Sequence, residues 1–301
     1  MNKRRLSYNK IKYQKHCSKQ VFGLFLLCTV ALLLHSCGID RNIKKGEKFL
    51  AIGEYHDAAT QFKTAYQRTP AKDRAQRGQL AAKMAFCYDR ISSSQRAIAA
   101  YRNVIRYKQD DKDTHLKLAA NLMKAGAYPE AIKEYNIALD SMPDNDIAKE
   151  GLTAATKAPA IKEQGSYYQV KKMDKFNSRR QDYSPMLFGD QYNQLYFTST
   201  RNDAQGDEVS GITGVKPGDI FVSEKDEKGK WTTPHTIESG LNSEADEGTP
   251  AFSVDGREMY ITQCLTDPTY PRFAQIAVSN RSDAAWGKPK KLEITRDTLS
   301  S

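Results

Sequence analysis

Cys37 is the residue whose possible chemistry the sequence defines most clearly. It follows a basic segment that ends at Lys19 and an apolar run of 14 residues, Val21–Leu34. A basic segment before a short apolar run is typical of a secretory signal, and this run is shorter than the ~20 residues that a membrane-spanning helix needs. A thiol at the end of such a signal can carry acyl chains that hold a protein on a membrane.

The residues before Cys37 resemble a bacterial lipobox. Leu34 supplies the aliphatic residue and Ser36 the small residue of that motif, while His35 between them is atypical. The resemblance implies that residues 1–36 are a lipoprotein signal peptide, that Cys37 is lipidated, and that residues 37–41 form a short lipidated linker. An ordinary signal peptide and a single anchor helix remain alternatives.

No other residue pattern predicts a reaction centre. The sequence has no GxSxG, Walker, HExxH or GxGxxG motif. Asp203, Asp207 and Glu208 offer oxygen ligands for Ca²⁺, but they lack a regular spacing and are better explained as solvated acids. Cys87 and Cys264 belong to no CxxC motif and are expected to be buried apolar residues. We therefore predict neither an enzyme nor a metal or cofactor site.

The net charge of +10 is concentrated at the amino end. Seven Lys and Arg residues and no acid precede Cys37, which leaves a net charge of +3 on the rest of the chain. This distribution indicates targeting and gives no reason to expect nucleic-acid binding. A hydrophobic content of 39% also argues against a disordered chain.

Residues 42–157 contain a repeated pattern of small and aromatic residues. One copy comprises Gly46, Phe49, Gly53, Tyr55, Ala58, Phe62, Ala65 and Pro70, and a second with identical spacing comprises Ala119, Leu122, Gly126, Tyr128, Ala131, Tyr135, Ala138 and Pro143. A weaker middle copy comprises Ala85, Tyr88, Ser92, Ser94, Ala97, Tyr101 and Val104. The pattern resembles the tetratricopeptide repeat (TPR), which implies an α-solenoid of three helix hairpins, with residues 144–157 as a capping helix.

The first helices of these hairpins carry a row of basic residues. Equivalent positions of the three copies hold Lys44, Lys83 and Lys117, and Arg90 and Lys124 follow further along two of these helices. Such a row would suit an acidic peptide or a free carboxylate of a partner protein. The alternative is that these long side chains only solvate a helix face.

A different repeat follows residues 158–165, a predicted linker in which Pro159 and Gly165 break structure. The first copy contains Asn177-Ser178, Asp182, Ser184-Pro185, Leu195–Thr198, Ile220–Ser223 and Trp231-x2-Pro234; the second contains Asn242-Ser243, Glu247, Thr249-Pro250, Met259–Thr262, Ile276–Ser279 and Trp286-x2-Pro289. Each copy predicts four short strands, with a longer insert between the second and the third. Four strands per repeat is typical of a propeller blade.

These motifs resemble PD40-type, WD40-like repeats. Residues 166–301 are therefore expected to form β-propeller blades, of which two are visible, so that the propeller is incomplete and the chain is expected to continue beyond Ser301. Two blades that pair with a partner or with another copy are the alternative.

A lipid anchor, helical repeats and PD40-type blades in this order resemble OmpA-family lipoproteins of Bacteroidota, in particular the PorE-like proteins of the type IX secretion system. The resemblance implies a non-enzymatic outer-membrane scaffold that binds other envelope or secretion-system proteins, in type IX secretion, gliding or peptidoglycan-linked envelope assembly. The single acid in Gly38-Ile39-Asp40 favours the periplasmic face, and peptidoglycan would be reached only through a domain that this chain lacks.

Two other functions remain alternatives. One is a propeller-gated hydrolase whose catalytic domain lies beyond residue 301. The other is a glycan-uptake lipoprotein that cradles sugar in its helical repeats.

Overall fold

A computed structural model describes residues 38–206, 209–237, 240–265, 274–283 and 285–294. The predicted signal peptide and Cys37 lie outside these ranges. The chain divides into two compact units, one with the residues up to Lys48 and Ala58–Thr156, the other with Phe49–Asp57 and the residues from Lys157 onward. Among the described residues, none of the helices combines the length and the apolar character that crossing a bilayer requires.

Seven helices make up the helical region of the described chain. They are α1 (residues 38–51), α2 (Tyr55–Arg68), α3 (Arg74–Arg90), α4 (Ser94–Arg106), α5 (Thr114–Lys124), α6 (Tyr128–Ser141) and α7 (Asp146–Gln164). The helices α3 and α4, and then α5 and α6, pack together as pairs, and α4 packs on α5. The prediction of TPR-like helix hairpins followed by a last helix is thereby confirmed.

Small and aromatic residues of the repeat pattern form the core of this region. The buried members include Ala58, Phe62, Ala97, Tyr101, Ala131 and Tyr135. At Gly46 a Cβ atom would lie only 2.6 Å from Cε1 of Phe62, so a residue without a side chain is needed there. The same close approach recurs at Gly151 of α7, where a Cβ atom would lie 2.3 Å from Cζ of Tyr135. The last helix therefore covers the third aromatic residue, as a capping helix should.

The structure differs from the sequence prediction at both ends of the helical region. Residues 38–41, expected in a linker, belong to α1, and the buried side chain of Ile39 fixes this first turn. The predicted linker 158–165 is helical up to Gln164, with Pro159 inside α7. Pro159 is exposed, and alanines with high helix propensity surround it, which offsets the lost backbone hydrogen bond.

Two antiparallel sheets follow the helices. The first contains β1 (Asp182–Phe188), β2 (Gln194–Ser199), β3 (Asp219–Glu224) and β4 (His235–Thr236) in that order. The second contains β5 (Asp246–Phe252), β6 (Glu258–Cys264), β7 (Ala274–Ser282) and β8 (Ala285–Trp286) in that order, with β9 (Lys290–Lys291) also paired to β7. These meandering sheets are consistent with part of a β-propeller.

The two sheets repeat each other in detail. In both, the first strand bulges before its proline, where Ser184 and Thr249 adopt positive φ angles of 51° and 50°. Just before that strand, the hydroxyls of Ser178 and Ser243 donate hydrogen bonds to Asp182 and Glu247, respectively. The internal repeat that the sequence predicts is therefore a repeat of local structure.

Side chains of both sheets fill the core between them. This cluster contains Tyr196, Ile220, Val222, Leu241, Met259, Ile261, Ala277 and Trp286. Asn242 fixes the start of the second repeat, because its Oδ1 accepts from the backbone N–H of Ile220 at 2.9 Å and its Nδ2 donates to the carbonyl of the same residue at 3.0 Å. It thus supplies the two bonds that a neighbouring strand would supply.

Candidate partner-binding surface

The first helices of the three pairs position the predicted basic residues. Lys44 lies on α1, Lys83 on α3 and Lys117 on α5. Each of these helices buries small and apolar residues against its neighbours, such as Leu80 and Leu118, which leaves the lysines partly or fully exposed. Arg90 is the last residue of α3, and it is exposed.

Several of these basic residues have acidic neighbours that were not predicted from the sequence. Lys83 forms a salt bridge with Glu47, which connects α3 to α1. The Nζ atom of Lys124 lies 3.3 Å from Oδ1 of Asp89 and connects α5 to α3. The surface therefore alternates in charge and is not uniformly basic. Because these side chains are largely exposed, each pair contributes little to stability and can exchange its partner for a ligand.

Lys117 has a more distant acidic neighbour, which is close to it in sequence. Its Nζ atom is 4.0 Å from Oδ2 of Asp113, four residues earlier. This pair follows the i,i+4 spacing that the sequence shows. By contrast, Glu47 pairs with Lys83 and Asp89 pairs with Lys124 across different helices. Only the three-dimensional stacking of the repeats brings these acids to the lysines.

Asn121 holds the acidic part of this surface in place. It is fully buried, and its Nδ2 donates to Oδ1 of Asp89 and to the carbonyl of Lys117, both at 2.9 Å. Within the described residues its Oδ1 has no hydrogen-bond partner. Asp89 therefore receives donors from both Asn121 and Lys124, which fixes its carboxylate at the junction of α3 and α5.

One apolar side chain interrupts the charged surface. Phe86 is 45% exposed and lies on α3 three residues after Lys83 and four before Arg90, so the three residues share one helix face. A ring flanked by cations can receive an apolar side chain of a peptide whose acidic groups contact the lysines. The spacing of Lys83, Phe86 and Arg90 by three and four residues is the signal in the sequence from which this shared face could have been inferred.

Exposed basic residues surround Lys44. Arg41, Lys45 and Lys48 are exposed on the same helix, together with the acid Asp40. This part of α1 is the most basic stretch of the candidate surface and directly follows Cys37 in the sequence.

Two buried titratable groups lie away from this surface. Burial raises the pKa of Cys87 to about 12, and its side chain is inaccessible, which confirms that it is an apolar core residue. Burial likewise raises the pKa of Asp219 to about 6, against the hydrogen bond from the N–H of Gln205. In the part of the chain that is described, no three His, Cys, Asp or Glu side chains are grouped to hold a metal ion. Asp207 and Glu208 lie outside that part.

Comparisons with known proteins give likenesses to solved structures only. The sequence matches no family model, and the search of curated proteins found no match. The first TPR of Spaghetti (RPAP3), bound to an HSP90 peptide, is 19% identical with a TM-score of 0.35, over 42% of this chain and 95% of that chain. MamA is 19% identical with a TM-score of 0.36, over 42% and 66% of the two chains. The Sgt2 TPR domain from Aspergillus fumigatus is 16% identical with a TM-score of 0.34, over 45% and 88%.

These likenesses are distant in both sequence and superposition. The description of the helical region as TPR-like therefore depends on its own residue spacing, its helix pairs and the glycine–aromatic contact at Gly46.

Proposed function

We propose that this protein is a non-enzymatic scaffold, a lipoprotein held through Cys37 on the periplasmic face of the outer membrane. Its helical repeats and its PD40-type sheets bind other envelope proteins, in type IX secretion, gliding or peptidoglycan-linked envelope assembly. We assign partner binding in the helical region to the row of Lys44, Lys83, Arg90, Lys117 and Lys124.

The observation that supports this proposal most directly is the charged surface that continues from α1 through α3 to α5. The Lys83–Glu47 and Lys124–Asp89 pairs lie between helices and are accessible to solvent. A partner with alternating charge can replace them bond for bond, and the exposed ring of Phe86 adds an apolar contact. Electrostatic complementarity of this kind favours specificity and a fast encounter.

Charge reversal on the first helices tests the assignment. We expect Lys83→Glu with Lys117→Glu to weaken the capture of partners by about a hundredfold, because each of the two lost charge-assisted contacts is worth roughly 1.5 kcal/mol. Crosslinking in intact cells, followed by identification of the crosslinked envelope proteins, measures this loss. Circular dichroism should show unchanged helix content.

Matched controls separate position from net charge. Lys63→Glu with Lys133→Glu makes the same change on the second helices α2 and α6, where both lysines are exposed. This control should keep its partners, and Lys83→Glu combined with Glu47→Lys should keep the stability of the native pair. The row is only a solvated face if Lys83→Glu/Lys117→Glu and Lys63→Glu/Lys133→Glu lose partners equally, or if neither variant loses them in a pull-down at low salt.

A further inference from the structure

Two tyrosines meet where α2 leads into α3 and where α4 ends. The hydroxyls of Tyr66, near the end of α2, and Tyr107, directly after α4, are 3.2 Å apart and share a hydrogen bond. Their rings pack edge to face with centroids 6.4 Å apart. Together with Arg74, Arg77 and Arg106 they form a group that we call the arginine–tyrosine cluster.

The phenol rings orient two of the guanidinium groups. The Nη1 of Arg77 donates to the hydroxyl of Tyr107 at 3.2 Å, and its Cζ lies 4.7 Å from the ring centroid of Tyr66. Arg74 lies over the ring of Tyr107 at 5.5 Å, and its Nη2 donates to the backbone carbonyl of Arg106 at 2.8 Å. These contacts hold both arginines without neutralising their charge.

The positive charge of the cluster has no acidic counterpart. Within the described ranges, no ion pair joins Arg74, Arg77 or Arg106 to a carboxylate. Of the acids nearest in sequence, Asp73 accepts from the N–H of Gln76 and Asp111 from the hydroxyl of Thr114. Asp110, four residues after Arg106, is exposed and forms no ion pair within the described ranges. By contrast, Lys83, Lys117 and Lys124 on the partner-binding surface each have a carboxylate neighbour.

Unused hydrogen-bond donors accompany this charge. The Nε of Arg77 is buried and has no acceptor in the described part of the chain. Arg106 is exposed, and its guanidinium makes no hydrogen bond or ion pair among the described residues. The hydrogen bond from Tyr66 and the charges of Arg77 and Arg106 hold the pKa of Tyr107 below its ordinary value. The unpaired donors of Arg77 and Arg106 and the lowered pKa of Tyr107 are expected where no nearby carboxylate balances a positive electrostatic potential.

Guanidinium groups donate and never accept hydrogen bonds, so a ligand of this cluster must be an acceptor. Three positive charges favour a dianion over a singly charged carboxylate, and the planar fork of arginine matches the oxygens of a phosphoryl group. We propose that the arginine–tyrosine cluster is a binding site for a doubly charged phosphoryl group, separate from the partner-binding surface.

Calorimetric titration of the full chain with inorganic phosphate tests this site. We expect saturable binding to the native protein and a roughly tenfold weaker affinity in Arg106→Gln and in Arg74→Gln, because each loses a charge-assisted contact. Arg102→Gln is the matched control, since Arg102 lies on the same helix as Arg106 but forms a salt bridge with Glu130. Its phosphate affinity should be native.

A spectroscopic readout locates the ligand. A bound dianion disfavours the tyrosinate form, so phosphate should raise the pKa of Tyr107, seen as a shift in the tyrosinate absorbance during alkaline titration. The shift should disappear in Tyr107→Phe and persist in Arg102→Gln.

A phosphoserine peptide and acetate, titrated in the same way, show where the phosphoryl group comes from and whether the site selects it over a carboxylate. Tighter binding of a phosphoserine peptide than of inorganic phosphate would assign the site to a phosphorylated protein, and the reverse would assign it to free phosphate. Both results support a phosphoryl site. The proposal is overturned if phosphate does not bind saturably, if acetate binds as tightly as phosphate, or if Arg102→Gln weakens binding as much as Arg106→Gln.

Discussion

Asp219 is the buried acid whose environment is most unusual at the scale of single residues. Its side chain is fully buried, Oδ2 accepts from the N–H of Gln205 at 2.8 Å, and Oδ1 has no partner among the described residues. Burial and the negative charge of Glu247 both disfavour ionisation, and its pKa is raised to about 6. The native fold therefore carries a destabilising charge at neutral pH.

We predict that Asp219→Asn stabilises the protein at neutral pH. The folded-state pKa exceeds the ordinary value of 3.8, so the native state retains a proton that the unfolded state releases between about pH 4 and pH 6. Native stability consequently falls as pH rises through this window and is level above it. Because Asn does not ionise, the free energy of unfolding of the variant should exceed that of the native protein by on the order of 2 kcal/mol at pH 7. This difference should vanish below about pH 4.

Urea unfolding of both proteins across this pH range measures the effect. The control is Asp203→Asn, which changes an exposed acid in the insert before β3 and should follow the native curve. A gain that is the same at pH 3.5 and pH 7 would show that the charge of Asp219 is not its cause.

Part of the candidate surface was predictable from the sequence at this scale. The equivalent positions of Lys83 and Lys117 follow from the repeat spacing alone, and the Asp113 neighbour follows from its distance of four residues. Glu47 lies 36 residues from Lys83, and only the stacking angle of successive hairpins decides that they meet. The arginine–tyrosine cluster was invisible for the same reason, since its members come from three helices and the turn after α4.

The turn of the middle hairpin shows how one element departs from its repeat. Gly53 and Gly126 have φ angles of 79° and 74°, and Ser92 occupies the same place with a φ of 54°. Left-handed backbone is costly for a residue with a Cβ atom. The middle copy matches the repeat pattern less well because serine replaces glycine at this position, but the left-handed turn is kept.

We predict that Ser92→Gly stabilises the helical region by about 0.5 kcal/mol, the relief of strain being partly offset by a more flexible unfolded chain. The reverse change, Gly126→Ser in the third hairpin, should cost a similar amount. Thermal unfolding followed by circular dichroism measures both. Destabilisation by Ser92→Gly would show that the serine side chain contributes more than its backbone strain costs.

Asn242 and Asn177 occupy equivalent positions in the two sheets but have different roles. Asn242 is buried and bonds both backbone groups of Ile220, whereas Asn177 is exposed and accepts only from the N–H of Met173. We predict that Asn242→Ala lowers the free energy of unfolding by about 2–4 kcal/mol, because it leaves two buried backbone groups unpaired.

Asn177→Ala provides the matched comparison and should change stability by less than about 0.5 kcal/mol, as at an ordinary surface position. Urea unfolding monitored by tryptophan fluorescence follows the sheets through Trp286, which belongs to the same core cluster as Ile220. Equal effects of the two substitutions would contradict a special role for the Asn242 bonds.

At the scale of secondary-structure elements, the helices and strands were largely predictable, because both repeats show a regular spacing of small, aromatic and apolar residues. A glycine or alanine opposite an aromatic ring recurs at fixed spacing in the hairpins, and alternation with a proline after a bulge recurs in the sheets. The end of α7 was not predictable from Pro159, because its exposure and its alanine neighbours decide whether the helix continues. The first turn of α1 depends on the burial of Ile39, which requires the tertiary contact.

At the scale of the whole molecule, the order of the segments places a basic helix directly after the predicted lipidation site. Arg41, Lys44, Lys45 and Lys48 are all exposed, and Gly38 to Lys48 spans about 15 Å of helix. If acyl chains on Cys37 enter a bilayer, these side chains lie at headgroup level. Each basic residue there adds roughly 1 kcal/mol of attraction to anionic lipid, so the helix would support the anchor without replacing it.

We predict that Cys37→Ala moves the protein from the membrane fraction to the soluble fraction and abolishes its labelling with radioactive palmitate. On the proposed lipidation, acyl chains would supply most of the membrane affinity, whereas the basic helix alone would bind weakly and be released as salt screens its charge. Cys28→Ala is the matched control, because it removes a thiol from the apolar run and leaves Cys37 intact, and it should be labelled and membrane-bound. Palmitate labelling that persists in Cys37→Ala would show that another residue is acylated, which contradicts the lipobox. Membrane retention of that variant at high salt would instead indicate an uncleaved anchor helix.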